Sequence, residues 1–150
     1  MPYVQSRSRR QPPKAKSRAL KRRLQDDPWA ASLGVEFLEL RRGYCRVALR
    51  LRPDMLNFQG APHGGVIFSL ADVAFSAACN SHGKPAVALN MTISFLSKIA
   101  PGARLVAEAD ERRQGRTAGF YDVTVTGEDG TVVALVHCVA HRIGSTATTD

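Results

Sequence analysis

No stretch of this 150-residue chain is apolar for long enough to span a bilayer; the longest, 66–79, is interrupted by Ser69, Asp72 and Ser76. No apolar signal segment opens the chain, which argues against secretion. Cysteine is scarce and unpatterned: Cys45, Cys79 and Cys138 are isolated, odd in number and without a Cys-x-x-Cys neighbour. That excludes a disulfide frame or a cysteine-based metal knuckle and leaves buried, reduced thiols in a cytoplasmic protein as the expectation. A phosphate-binding loop is also missing, because no Gly-Lys-Ser/Thr follows Gly64-Gly65. The chain carries neither a dinucleotide fingerprint, nor a Ser-His-Asp order, nor a run of metal ligands.

Acidic residues are absent from the first 25 positions, which hold nine Lys or Arg. The remaining residues carry twelve bases against thirteen acids, so the formal charge of +8 belongs to an N-terminal extension and not to the body. With Ser, Gln and Pro mixed in, residues 1–25 are expected to be disordered, with room for a short helix over 17–25. Such a segment can touch nucleic acid by counterion release or steer an anionic substrate. It lacks interleaved aromatics, and nucleic acid is not the favoured partner. The rest reads as one domain over 26–145 with a short tail at 146–150, long enough to bury a core without staples.

The domain begins at Asp27-Pro28-Trp29, where Asp as N-cap and Pro at the first helical position signal a short helix that stops at Gly34. A weak strand pattern covers 35–40. Over 44–52 the alternation is clearer, with Cys45, Val47, Leu49 and Leu51 facing one way and Arg46, Arg50 and Arg52 the other. A loop over 53–62 leads into a helix ending at Asn80. Strand patterns alone follow, over 86–96, 104–112, 118–126 and 131–143, and Asp129-Gly130 marks a hairpin. One long apolar helix with about six antiparallel strands is satisfied when a curved sheet wraps around that helix, an α+β arrangement.

The helix is the most informative element. Apolar residues cover nearly every face of it, so it should be buried on most sides, yet Asp72 sits mid-length. A lone carboxylate there costs free energy unless it is paired or working, because desolvation disfavours the charged form. The alternatives are a polar seam at a subunit contact and chemistry, and chemistry is the better account.

From Asp27 to the end of the domain the chain resembles the hotdog-fold acyl-CoA thioesterases of the phenylacetic acid degradation (PaaI-like) type. The resemblance is carried in order by Asn57, His63-Gly64-Gly65, Phe68-Ser69-Leu70-Ala71-Asp72, Ala74-Phe75 and Ala78-Cys79-Asn80-Ser81. It continues with Gly83, Ala86-Val87-Ala88, Ile93-Ser94-Phe95-Leu96, Gln114-Gly115-Arg116, Tyr121-Asp122-Val123 and His141-Arg142-Ile143-Gly144. It implies hydrolysis of a CoA thioester by water with no cofactor, hydroxyphenylacetyl-CoA being the favoured substrate.

By that resemblance Asp72 is the catalytic carboxylate, acting as general base or as nucleophile. The Gly64 amide corresponds to the donor that polarises the thioester carbonyl. The physics agrees, because the first N–H groups of a helix lack internal partners and lie at the positive end of its dipole. Asn57 matches a position that orients the carbonyl or the water, and stabilising a loop turn is its other reading. His63 is expected to hold the glycine loop rather than to move protons. No Ser or Thr stands where relatives hold the water, and Asn90 is only a weak substitute. Gly65, Phe68, Leu70 and Phe75 are candidates for the acyl pocket, although Phe68, Leu70 and Phe75 read equally well as core. Lys98, Arg113 and Arg116 are candidates for the CoA phosphates, or solvated surface charge.

Spacing alone bears on quaternary structure. Eight residues separate Gly64 from Asp72, about 12 Å along a helix and about 80° around it. A carbonyl bound at Gly64 therefore cannot also meet water held by Asp72 of the same chain. Two antiparallel copies of the helix solve this, predicting a homodimer with two equivalent interfacial sites; the resemblance implies dimers paired into a tetramer. Two other classes are a non-catalytic acyl-CoA sensor whose basic tail contacts nucleic acid and a hotdog-type hydratase. The first gains nothing from a carboxylate in its pocket, and the second needs a His-Asp setting that His63 and Asp72 do not match.

Overall fold

A computed structural model describes residues 14–144. The basic segment contains helix α1 (Lys14–Gln25), and helix α2 (Pro28–Leu33) opens the body. Strands β1 (Glu36–Arg41) and β2 (Tyr44–Arg50) form a hairpin, and a 3-10 turn at Pro53–Met55 leads to helix α3 (Gly64–Asn80). Strands β3 (Ala86–Phe95), β4 (Arg104–Gln114), β5 (Ala118–Gly127) and β6 (Val132–Arg142) complete one sheet in the order β1-β2-β4-β5-β6-β3, with every pair antiparallel. The sheet packs one face on α3, chiefly through β2, β4 and β5. This is the α+β hotdog arrangement expected from the sequence.

Local chemistry sets these elements. Asp27 Oδ1 accepts from the N–H groups of Trp29 and Ala30 at 2.9 and 3.0 Å, so α2 starts where its cap allows. Gly34 closes it in the left-handed region, at φ 77°, where its N–H reaches the carbonyls of Ala30 and Ala31. The inward positions of the sheet are Cys45, Val47 and Leu49 on β2, Leu105, Ala107 and Ala109 on β4, and Tyr121, Val123 and Val125 on β5, all buried. Facing them, α3 buries Ile67, Leu70, Ala71, Val73, Ala74, Phe75, Ala77, Ala78 and Cys79. Alanines on both sides let the helix lie close, and truncating Leu70 in this contact would cost about 2–5 kcal/mol. The three cysteines are free and buried, and burial pushes each thiol up to about 12.

The short helix allowed over 17–25 is present as α1 and begins three residues earlier, at Lys14, with Leu24 packed against the core and Leu20 beside Gly83. Leu20 and Leu24 lie one turn apart and form an apolar stripe that the surrounding bases obscure in composition. The first thirteen residues and the tail from 145 lie outside the described residues. Strand β2 stops at Arg50, two residues before the pattern does, because Leu51 turns its N–H to Ala103 O.

Candidate active site

The N-terminal end of α3 is held from below by a tight loop. His63 N–H donates to Met55 O at 2.9 Å, and Asn57 N–H donates to Ala61 O at 2.7 Å. His63 is the N-cap, with extended backbone angles, and its Nδ1 accepts from Gly65 N–H at 2.9 Å. Its carbonyl takes the N–H groups of Val66 and Ile67. That accounts for the first turn except Gly64, whose N–H has no acceptor among the described residues. An unengaged amide at the positive end of a 17-residue helix suits a developing oxyanion.

Asp72 stands two turns further on and is half-buried. Its carboxyl is raised above the ordinary aspartate value, first by burial and then by the charge of Asp27; no cation or hydrogen bond among the described residues offsets this. A carboxylate so placed is a stronger base than an exposed one.

The remaining candidates separate. Asn57 Oδ1 accepts from Gln59 and Ala61 N–H at 2.9 and 3.1 Å, the loop-turn arrangement. Gly65 has its N–H engaged by His63, so as a substrate donor it is already occupied. Phe75 is 1% exposed and packs edge-on against Tyr121 with ring centroids 5.5 Å apart. It is core and not pocket lining, and Leu70 is equally buried. Phe68 is half-buried and remains available. Exposed Asn90 accepts from Thr92 Oγ1 through its own Oδ1. Arg113 and Arg116 are exposed at the β4–β5 turn, near the C-terminal end of α3 and so on the side of Asp72 away from Gly64. Exposed Lys98 lines a cavity of about 230 Å³ with Ile99, Ala103, Glu128 and Val133, off the helix. Among the described residues no three His, Cys, Asp or Glu side chains cluster as metal ligands.

Two aromatics at the Gly64 end escaped the sequence reading. Phe58 is 96% exposed on the loop before α3, and a Cβ placed on Gly64 would stand 3.2 Å from Cζ of Phe95. Phe58 lies in a loop, and Phe95 is one of several apolar residues in and beside β3. Only proximity in space marks them.

The pattern of the thioesterase superfamily matches residues 59–134, a span that holds Gly64, Asp72 and four of the six strands in whole or part. The chain belongs to the thioesterase superfamily. It is 40% identical to the acyl-coenzyme A thioesterase PaaI of Escherichia coli K12 over 124 residues, covering 83% of this chain and 89% of that protein. The solved structure of the E. coli PaaI protein from the phenylacetic acid degradation operon superposes with a TM-score of 0.82 at 37% identity, over 87% of this chain and 95% of that one. A hypothetical thioesterase of Streptococcus pneumoniae TIGR4, solved with coenzyme A, superposes with a TM-score of 0.76 at 26% identity, over 82% and 96%. This thioesterase is thus an enzyme of the thioester-hydrolase class, as its sequence implied. No helix among its described residues is long and apolar enough to cross a membrane.

Proposed function

We propose that this thioesterase hydrolyses acyl-CoA thioesters, aryl-acetyl (hydroxyphenylacetyl)-CoA foremost, at two equivalent sites shared between paired subunits. The observation that carries the reading is one helix presenting an unengaged Gly64 N–H and, two turns away, the half-buried carboxylate of Asp72. Asp72 takes a proton from water as the water oxygen attacks the carbonyl carbon. The carbonyl electron pair moves onto its oxygen, which accepts from Gly64 N–H of the other subunit. Collapse expels the CoA thiolate by breaking the C–S bond, and the proton held by Asp72 passes to the sulfur. Free acid and CoA leave. An attack by Asp72 itself, through an anhydride, gives the same products.

Several features support the pairing. Strand β3 is at the sheet edge, with Val87 and Leu89 on it and Leu96 just after it exposed at 49, 68 and 54%. An apolar open edge invites another chain, and a second copy covers it without a separate partner. Antiparallel pairing of two α3 helices brings Gly64 of one within reach of Asp72 of the other. Arg113 and Arg116, beyond Asp72, then lie on the outward side of that shared site, where CoA phosphates need cations. Dimers pairing into a tetramer complete the reading.

The test is free-thiol release from hydroxyphenylacetyl-, phenylacetyl-, benzoyl-, butyryl- and palmitoyl-CoA, with Asp72→Asn run alongside. Fastest release from the aryl-acetyl thioesters, lost in the variant, is the expected result. Tight acyl-CoA binding without release would replace hydrolysis by a sensor function.

A further inference from the structure

We infer that Phe95 is a specificity-determining residue, the wall against which the aromatic part of the acyl group packs; this rests on the hydrolytic reading above. On β3 the positions after the bulge at Ala88/Asn90 alternate regularly. Met91 and Ile93 turn inward and pack against the core, and Phe95 is the next residue on that same face. The helix does not extend far enough to cover it. Its ring tip instead meets Gly64, where a Cβ would stand 3.2 Å from Cζ, 3.4 Å from Cε1 and 3.8 Å from Cε2.

The backbone that carries the ring is fixed from behind. Phe95 pairs with Ala134 in the β3–β6 ladder, and the next residue, Leu96, donates its N–H to Val133 O at 2.8 Å. Yet 53% of the residue is exposed, so an aromatic surface on an anchored backbone lies open beside the amide assigned to the carbonyl oxygen. A thioester held at Gly64 N–H has two arms. The pantetheine arm carries amides that need hydrogen-bond partners, and a phenyl ring offers none. The apolar acyl arm fits this surface, and an aryl-acetyl group, with one methylene between carbonyl and ring, sets its ring within stacking or edge contact of Phe95. Half-buried Phe68 stands one turn further along α3 from Gly64, where it can close the other side of a flat slot. The same contact explains glycine at 64, since any side chain there presses on the ring.

The experiment measures kcat/KM for phenylacetyl-CoA and for a straight-chain acyl-CoA of similar length in wild type, Phe95→Leu and Phe95→Tyr. Aromatic pairing of this kind predicts that the aryl-to-alkyl ratio falls about two- to tenfold in Phe95→Leu and is kept in Phe95→Tyr. Thermal midpoints identify any folding loss, which would lower both substrates together and leave the ratio alone. An unchanged ratio in an active Phe95→Leu enzyme overturns the assignment while leaving hydrolysis intact. A wild type inert on every thioester overturns the hydrolytic reading first and the role of Phe95 with it.

Discussion

The two ends of α3 are built on opposite rules. At the C-terminal end the polar side chains of Asn80 and Ser81 are engaged. Asn80 Nδ2 donates to Ser76 O and Ala86 O, both at 3.0 Å, and its Oδ1 accepts from Ala86 N–H at 2.9 Å. Ser81 Oγ donates to Ala78 O and accepts from Gly43 N–H. Around them His82 pairs with Glu111, Arg42 donates to His82 Nδ1 at 3.1 Å, and the Tyr121 hydroxyl donates toward Glu111 and Gln114. At the N-terminal end the loop is equally well tied, but Gly64 N–H is left open, and mid-helix Asp72 is left unpaired among the described residues. Saturation serves stability. A helix whose polar side chains are satisfied at one end, and which leaves a donor unused at the other end and a base unused mid-length, has reserved them for something else.

The largest effect that would sharpen this contrast is on turnover. Asp72→Asn should lower kcat by about 10²–10⁴, the usual contribution of a positioned base, measured by thiol release at saturating substrate. Next comes Asn80→Ala at the saturated end. It strands the N–H and carbonyl of Ala86 near the core, so unfolding in denaturant should show a loss of about 2–3 kcal/mol with kcat per folded molecule unchanged. His63→Ala removes the cap from the open end; a smaller stability loss of about 1 kcal/mol is expected, now together with a lower kcat because Gly64 is no longer held.

The smallest effects are in pH dependence. The base must be ionised, so kcat should fall in acid with a midpoint above the ordinary aspartate value of 3.8, because burial raises Asp72. Linkage gives the matching sign for stability. With its folded value raised, the carboxyl binds protons more readily folded than unfolded, and wild type loses stability as pH rises from 3.8 through the folded value. Asp72→Asn escapes that loss, so its thermal midpoint should equal or exceed that of wild type at neutral pH, and the gap should close in acid.

How much of this could be read from the chain follows from the range of each interaction. Helix α3 was legible almost to the residue, because its apolar run and the glycines before it are local signals. The alternation of Leu105, Ala107 and Ala109 gave the inner face of β4 for the same reason. Asp72 and Gly64 were legible because a charge on an apolar helix and a glycine at its start are each locally anomalous. Phe75 stayed open between pocket and core because nothing local separates a core aromatic from a lining one; only its contact with Tyr121, 46 positions away, does. The His82–Glu111–Tyr121 cluster was invisible, since the β2–β4 and β4–β5 registers bring it together. A helix over 17–25 was legible, but its packing on the core was not, since Leu20 and Leu24 are too few to stand out among nine bases.

Subunit complementation tests the shared site most directly. Gly64 is the first helical residue, and His63 before it is extended at φ −70°, ψ 132°, so Gly64→Pro removes the N–H at a position where proline fits the backbone. Its Cβ asks the Phe95 ring to yield a few tenths of an ångström. Gly64→Pro and Asp72→Asn homodimers should each be nearly inactive. In a co-expressed equal mixture about half the dimers are hybrids, each with one doubly damaged and one intact site, so activity should return to about one quarter of wild type. No recovery from a mixture shown to contain hybrids would mean that Gly64 and Asp72 act within one chain, and the shared site would be wrong.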